Sequence, residues 1–392
     1  MAPDGSLHEA LTETAAAMVP VLLERQKEAD TLRRIPDSTH RDFLDAGLYR
    51  IYQPRRYGGL ECENRALIDI AGELGRGCGS SAWIFTNLVA QSLVLSMNCV
   101  EAQDDVWGEN PEALIASGLS VTGAKTEPVE DGILLDGLWS FSSGVDFADW
   151  LHLQVFVPRE EGPPEPRFAL IPRGSFEIVD DWNATGLLAT GSKSVRLNDV
   201  FVPDYRTVAA GVLSGGKGLA RDLNSAPLYQ ISIWSAGTQI FSAPAVGIAR
   251  GALDYVENEF RDRVGVVGVK LSELPTAQAR VAEANAEIDA AKALLLQVSV
   301  EATDFAERDV HPELEQRARW RLNNAYATQL SIRAVERLYP LLGARGLDAA
   351  NPFMRAWRDV HAVGQQITQA WDMQATNAGR IRFGLPSVDP RL

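Results

Sequence analysis

Cysteine is scarce in this chain, with three in 392 residues. Cys62, Cys78 and Cys99 stand far apart and are odd in number, which argues against a disulfide framework and against a cysteine metal site. A reducing cytoplasm is the expected compartment. Positive charge is also short. Lys and Arg number 37 against 52 Asp and Glu, a net charge of -15, so neither nucleic acid nor an anionic membrane is expected as the main partner. No run of about 18 apolar residues predicts a membrane span. The opening "MAPDGSLHEALTETAAAMVP" lacks a basic stretch followed by an apolar one, so no signal peptide is expected. There is no internal repeat or low-complexity tail. No Gly-x-Gly-x-x-Gly opens a helix after a strand, so no nicotinamide site is expected. What remains is a globular composition, 46% hydrophobic and 23% charged, in a chain long enough for two or three domains.

Three textures follow one another. Residues 1–115 read as a helical domain. Apolar residues recur at helical spacing through "SLHEALTETAAAMVPVLLERQKEADTLRRIP", which ends on a proline. A helix over "STHRDFLDAGLYRIYQP" is expected to take Ser38 or Thr39 as its cap and to stop at Gly47. "NRALIDIAGELGRGCGSSAWIFTNLVAQSLVLSM" predicts two more helices, broken at the glycines around Gly79. Residues 116–225 change to short strands such as "GILLDGLWSF", "WLHLQVFV", "RFALIP", "FEIVDDW" and "KSVRLNDVFVP", which predict a barrel or sandwich. Residues 226–392 return to long helices. Val281, Ala284, Ile288, Ala291, Leu295 and Val298 form one apolar stripe there, as in an antiparallel bundle.

One stretch stands out. "GLWSFSSGVDFADW", Gly137 to Trp150, sets two Trp and two Phe among three Ser. Such rings fill strands in any β domain. Alternatively, something flat stacks here and takes a hydrogen bond from a serine.

The order helices, β domain, four-helix bundle resembles the acyl-CoA dehydrogenase fold. Local segments are similar too. "LYRIYQPRRYGGLE" resembles that family's Pro-x-x-Tyr-Gly-Gly segment, and "PFMRAWRDVHA" its Arg-x-x-Arg-Asp signature. "GSSAWIFTN", "WSFSSGVDFADW" and "ATGSKSVRLNDVFVP" resemble the flavin-dependent two-component monooxygenases of this fold.

The resemblance implies a reduced flavin, FMN or FAD, delivered by a separate flavin reductase, with molecular oxygen as co-substrate. It implies a small organic substrate, no metal, and a homotetramer. Phe141 or Trp139 would flank the isoalloxazine, and Ser143 would hydrogen-bond near N5 as donor or acceptor. Thr190 and Ser192 are either turn residues or a second flavin contact. Arg261 and Arg263 could reach a flavin phosphate. Gly343 and Gly346 either cap a helix or let the backbone approach a neighbouring subunit's flavin.

A dehydrogenase of this fold needs a carboxylate base, in common members a Glu nine residues after the Arg of Arg-Asp. Counting from Arg358 gives Ile367. Phenol-hydroxylating relatives carry two histidines at positions that here are Gln91 and Gln366. Glutamine takes no proton, so these two residues are expected to face each other across the substrate, and an amine nitrogen stands level with an aromatic carbon as the oxygenated atom. His361, five residues before Gln366, is expected to point about 140° away on a helix. A surface or interface role follows for it, and a surface role for His152. Arg358 and Asp359 are expected to hold the bundle. The alternatives are an acyl-CoA dehydrogenase-like oxidoreductase and a non-catalytic member of the fold.

Overall fold

A computed structural model describes residues 4–265 and 268–392. Six helices come first: α1 (Asp4–Glu24), α2 (Gln26–Leu32), α3 (Asp37–Asp45), α4 (Asn64–Gly77), α5 (Gly79–Ser96) and α6 (Val100–Trp107). α3 starts at Asp37, after Pro36, earlier than a cap at Ser38 or Thr39 allows. Ser38 and Thr39 therefore lie inside the helix, and Thr39 accepts a hydrogen bond from Arg25 Nη1 instead (3.2 Å). Gly47 sits just past the helix with φ +69°, the left-handed geometry expected of a stop. α4 and α5 separate at Cys78, which is fully extended. All of α5 except Asn87 is buried, as a helix that is apolar on every side must be.

Eight strands follow: β1 (Ile115–Gly118), β2 (Ser120–Val129), β3 (Gly132–Ser142), β4 (Trp150–Val157), β5 (Glu165–Pro172), β6 (Glu177–Val179), β7 (Lys193–Pro203) and β8 (Thr207–Ala209). They form two four-stranded sheets, ordered β1-β4-β5-β8 and β2-β3-β7-β6. Among the described residues only β1 and β4 pair in parallel; the other strand pairs are antiparallel.

The chain closes with α7 (Gln239–Arg261), α8 (Pro275–Glu307), α9 (Leu314–Leu338), α10 (Pro352–Gly364) and α11 (Trp371–Arg382). α8 buries Ala284, Ile288, Ala291, Leu295 and Val298, five of the six residues of the expected stripe, with Val281 half-buried. α4 and α7 touch backbone to backbone. A Cβ on Gly75 would stand 2.9 Å from Gly247 Cα, so both crossing positions need glycine. One apolar core runs through all three textures, from Leu11 through Trp139 to Val363.

Candidate active site

β3 does not end as a regular strand. Its pairing with β7 slips between Trp139 and Ser142, and Phe141 takes φ +65°. Along an unbroken strand Trp139 and Phe141 would share a face. The bulge separates them, as bulges do when they re-aim side chains. Trp139 is fully buried in the core, where its Nε1 donates to the Gln154 carbonyl (2.8 Å). It does not reach the cavity, which corrects its expected place beside a flavin. Phe141 is 63% exposed and meets the Trp182 ring edge-on at 6.2 Å.

Phe141 and Ser143 open onto a cavity of about 730 Å³, a size typical of ligand sites. Beside β3 with Phe141 and α7 with Phe241, further segments shape its walls. α5 gives Trp83; β1 gives Ser117; the segment before β7 gives Trp182, Gly186, Thr190 and Ser192; and α10 with the turn after it gives Arg358, His361, Gln366 and Ile367. Among the described residues no Asp or Glu lines it.

Hydroxyl groups run along one wall. Trp83 Nε1 donates to Ser143 Oγ (3.0 Å), Ser143 Oγ lies 2.8 Å from Ser192 Oγ, and Ser192 Oγ lies 2.6 Å from Thr190 Oγ1. Thr190 Oγ1 donates to the Leu187 carbonyl (2.9 Å). All three hydroxyl residues are buried. Lys193 anchors the turn after Ser143 through Asp146 (2.8 Å).

The Arg-x-x-Arg-Asp signature splits its work. Asn351 caps α10 by accepting from the Phe353 amide (2.9 Å). From that helix, buried Asp359 accepts from the Leu187 amide (2.6 Å) and so ties the hydroxyl-bearing segment to α10. Burial raises the Asp359 carboxyl to about 6, partly opposed by Arg355. Arg355 reaches α2 through Asp30 (2.9 Å) and the Gln26 carbonyl (2.7 Å). Arg358 differs from the structural role expected of it. It lines the cavity, and its charge acts on Asp30 and Asp359 without a close ion pair to either.

His361 also lines the cavity, contrary to expectation. α10 ends at Gly364, and the Gln366 amide turns back to the Val363 carbonyl (3.1 Å), so one helical wheel does not relate the two residues. Both ring nitrogens of His361 face acceptors, the Trp357 carbonyl (2.7 Å) and Glu336 (3.0 Å). Gln366 reaches the cavity, while its Oε1 accepts from the Thr368 amide and hydroxyl (both 2.6 Å).

Gln91 does not line the cavity and does not face Gln366. Its Oε1 pairs with His152 Nδ1 (3.1 Å). His152 is fully buried rather than on the surface, and burial lowers its pKa to about 3. Arg263 lies over the Phe260 ring (6.0 Å) and does not line the cavity. Gly343 and Gly346 sit in the turn before α10 and do not line it either. Trp83, Trp182 and Phe241 line the cavity as well. Spacing in the sequence does not show which way these rings point.

An all-round match to known proteins fits this arrangement. Residues 6–107 match the acyl-CoA dehydrogenase N-terminal domain, and residues 239–370 the acyl-CoA dehydrogenase C-terminal domain. The curated relatives are narrower in kind. The chain is 34% identical to the flavin-dependent monooxygenase oxygenase subunit HsaA of Rhodococcus jostii, covering 95% of this chain and 98% of that protein. It is 33% identical to the oxygenase component of the FADH2-dependent resorcinol hydroxylase of a Rhizobium species, covering 96% and 95%. The solved 3-HSA hydroxylase of a Rhodococcus species superposes with a TM-score of 0.93 at 30% identity, over 97% and 98% of the two chains. The chain therefore belongs to the flavin-dependent monooxygenase oxygenase components built on the acyl-CoA dehydrogenase fold.

Proposed function

We propose that the cavity binds reduced flavin with its isoalloxazine against Ser143, and that a small aromatic substrate is held over the ring for insertion of one oxygen atom at carbon. The observation that carries this reading is the cavity's make-up: aromatic edges, a run of buried hydroxyls and an arginine, with no carboxylate among the described lining residues. Ile367 occupies the position expected of a dehydrogenase base and lines the cavity, so an α-proton would meet an aliphatic side chain there. The resorcinol hydroxylase and p-hydroxyphenylacetate 3-hydroxylase among the relatives favour aromatic carbon over amine nitrogen.

Bound reduced flavin would supply the reaction with dioxygen. The chain's part is to bind, orient and keep water away. Ser143 offers a hydrogen-bond partner at the flavin's N5 edge, and Phe141 with Trp182 gives apolar walls. Arg358 offers a positive charge to a flavin phosphate or to an anionic substrate. His361 has both nitrogens engaged with acceptors, so it orients rather than removes a proton. Gln366 presents an amide to the substrate. In the same reading, a separate reductase supplies the flavin, Arg263 reaches a flavin phosphate, and the protein is a homotetramer in which the turn of Gly343 and Gly346 approaches a neighbour's flavin. Cys62, Cys78 and Cys99 form no disulfide among the described residues, which fits a reducing cytoplasm.

The test combines the purified protein, a flavin reductase with its nicotinamide donor, isotopically labelled dioxygen and a panel of phenols and arylamines. A product that gains one labelled oxygen on ring carbon is the expected result. Oxygen on nitrogen would move the reaction to amines. Bleaching of bound flavin by an acyl thioester, without oxygen insertion, would establish the dehydrogenase instead.

A further inference from the structure

The hydroxyls of Ser143, Ser192 and Thr190 have one direction. The Leu187 carbonyl can only accept, so at 2.9 Å it takes the single proton of Thr190 Oγ1. The 2.6 Å contact between Thr190 and Ser192 then requires the proton of Ser192. The 2.8 Å contact between Ser192 and Ser143 in turn requires the proton of Ser143. At the other end, the Trp83 indole N–H can only donate, and Ser143 accepts it.

Running the chain outward instead would leave the Thr190 and Leu187 oxygens 2.9 Å apart with no proton between them. The Leu187 carbonyl keeps the Thr190 amide in either direction (3.1 Å), so the preference rests on one hydroxyl bond. A buried bond of that kind biases the direction by roughly tenfold.

Ser143 thus has no proton to give toward the cavity. One of its lone pairs holds Trp83, and the other is open. We infer that Thr190 and Ser192 are positioning residues that make Ser143 a pure acceptor, so that the site takes flavin bearing hydrogen on N5 and disfavours flavin lacking it. This rests on the flavin reading of the cavity. It also corrects the expectation that Ser143 donates or accepts as the flavin changes state. Reduced flavin carries N5–H and meets the open lone pair. Oxidised flavin presents an N5 lone pair, and two acceptors then face each other in a buried place.

Titration of the whole protein with FMN tests this without turnover, reduced FMN under anaerobic conditions and oxidised FMN in a parallel series. The wild type should bind the reduced form more tightly. Thr190→Val removes the acceptor that sets the direction, leaving Ser143 able to donate. The ratio of oxidised to reduced dissociation constants should then fall by roughly tenfold, mainly because oxidised FMN binds better. Thr190→Ser restores the hydroxyl and should restore the ratio. Ser192→Ala frees the same Ser143 proton and should lower the ratio too, and it decides the matter if the valine variant does not fold. A purely structural role would weaken both forms equally. An unchanged ratio in both Thr190→Val and Ser192→Ala overturns the inference. Wild-type protein that binds neither form of FMN nor, in the same titration, either form of FAD would overturn the flavin reading of the cavity itself, and the inference with it.

Discussion

A Cβ on Gly186 would stand 2.3 Å from the carbonyl oxygen of Arg358. The segment that carries Thr190 and Ser192 thus lies directly on the α10 backbone, and Asp359 fastens it there through the Leu187 amide. Gly186→Ala should force the two backbones apart. Overpacking of this kind costs about 1–3 kcal/mol. We expect a lower melting temperature and weaker binding of reduced FMN, read by thermal denaturation and anaerobic titration. If neither changes, the contact is not what sets the spacing of segment and helix.

Asp359 carries a pH signature. Its folded carboxyl titrates near 6, raised by burial above the ordinary value of about 3.9. The stability it contributes is therefore full below the unfolded value and is lost as pH rises through the folded one. Asp359→Asn keeps an oxygen for the Leu187 amide and never ionises. Its stability relative to wild type should climb between about pH 4 and 6 and then level off. Urea midpoints measured across that range check it; parallel curves for the two proteins would count against it.

His152 has the opposite sign. Burial lowers its pKa to about 3, so the neutral ring is the folded form. Its contribution is present above the unfolded value of about 6.5 and is lost as pH falls, by roughly 1.4 kcal/mol per unit. His152→Gln removes that proton uptake. Acid unfolding of the variant should begin at lower pH or follow a shallower slope than wild type, as followed by far-ultraviolet circular dichroism. An identical acid limb would assign the effect to other groups.

Ser143→Ala leaves the Trp83 indole N–H without its acceptor and deprives Ser192 of a donor. Leaving a buried group unpaired costs about 1–3 kcal/mol. Reduced FMN should bind roughly tenfold more weakly if one hydrogen bond to it is lost. Equal affinity in the two proteins would remove Ser143 from the flavin site.

Much of this protein was settled by local pattern. The helical period of α8, the break between α4 and α5 and the turn residues between strands announce their elements, because period and backbone freedom are properties of short segments. The segment "WSFSSG" also singled out Phe141 and Ser143, and both line the cavity. What those segments could not fix is direction. Trp139 and Phe141 are two residues apart in a strand and alike in sequence, yet a bulge sends one into the core and the other to the cavity. Gln91 looked like half of a pair across the substrate, and it pairs with His152 instead, a residue 61 positions away. Gln366 and His361 came to one wall because α10 ends between them. The polarity of the Ser143 hydroxyl is likewise decided by the Leu187 carbonyl, at a site held in place by Asp359 from α10. Each of these depends on contacts between segments distant in the chain. Only the packed tertiary structure fixes them, because burial decides which polar groups must find partners and the fold decides which partners are within reach.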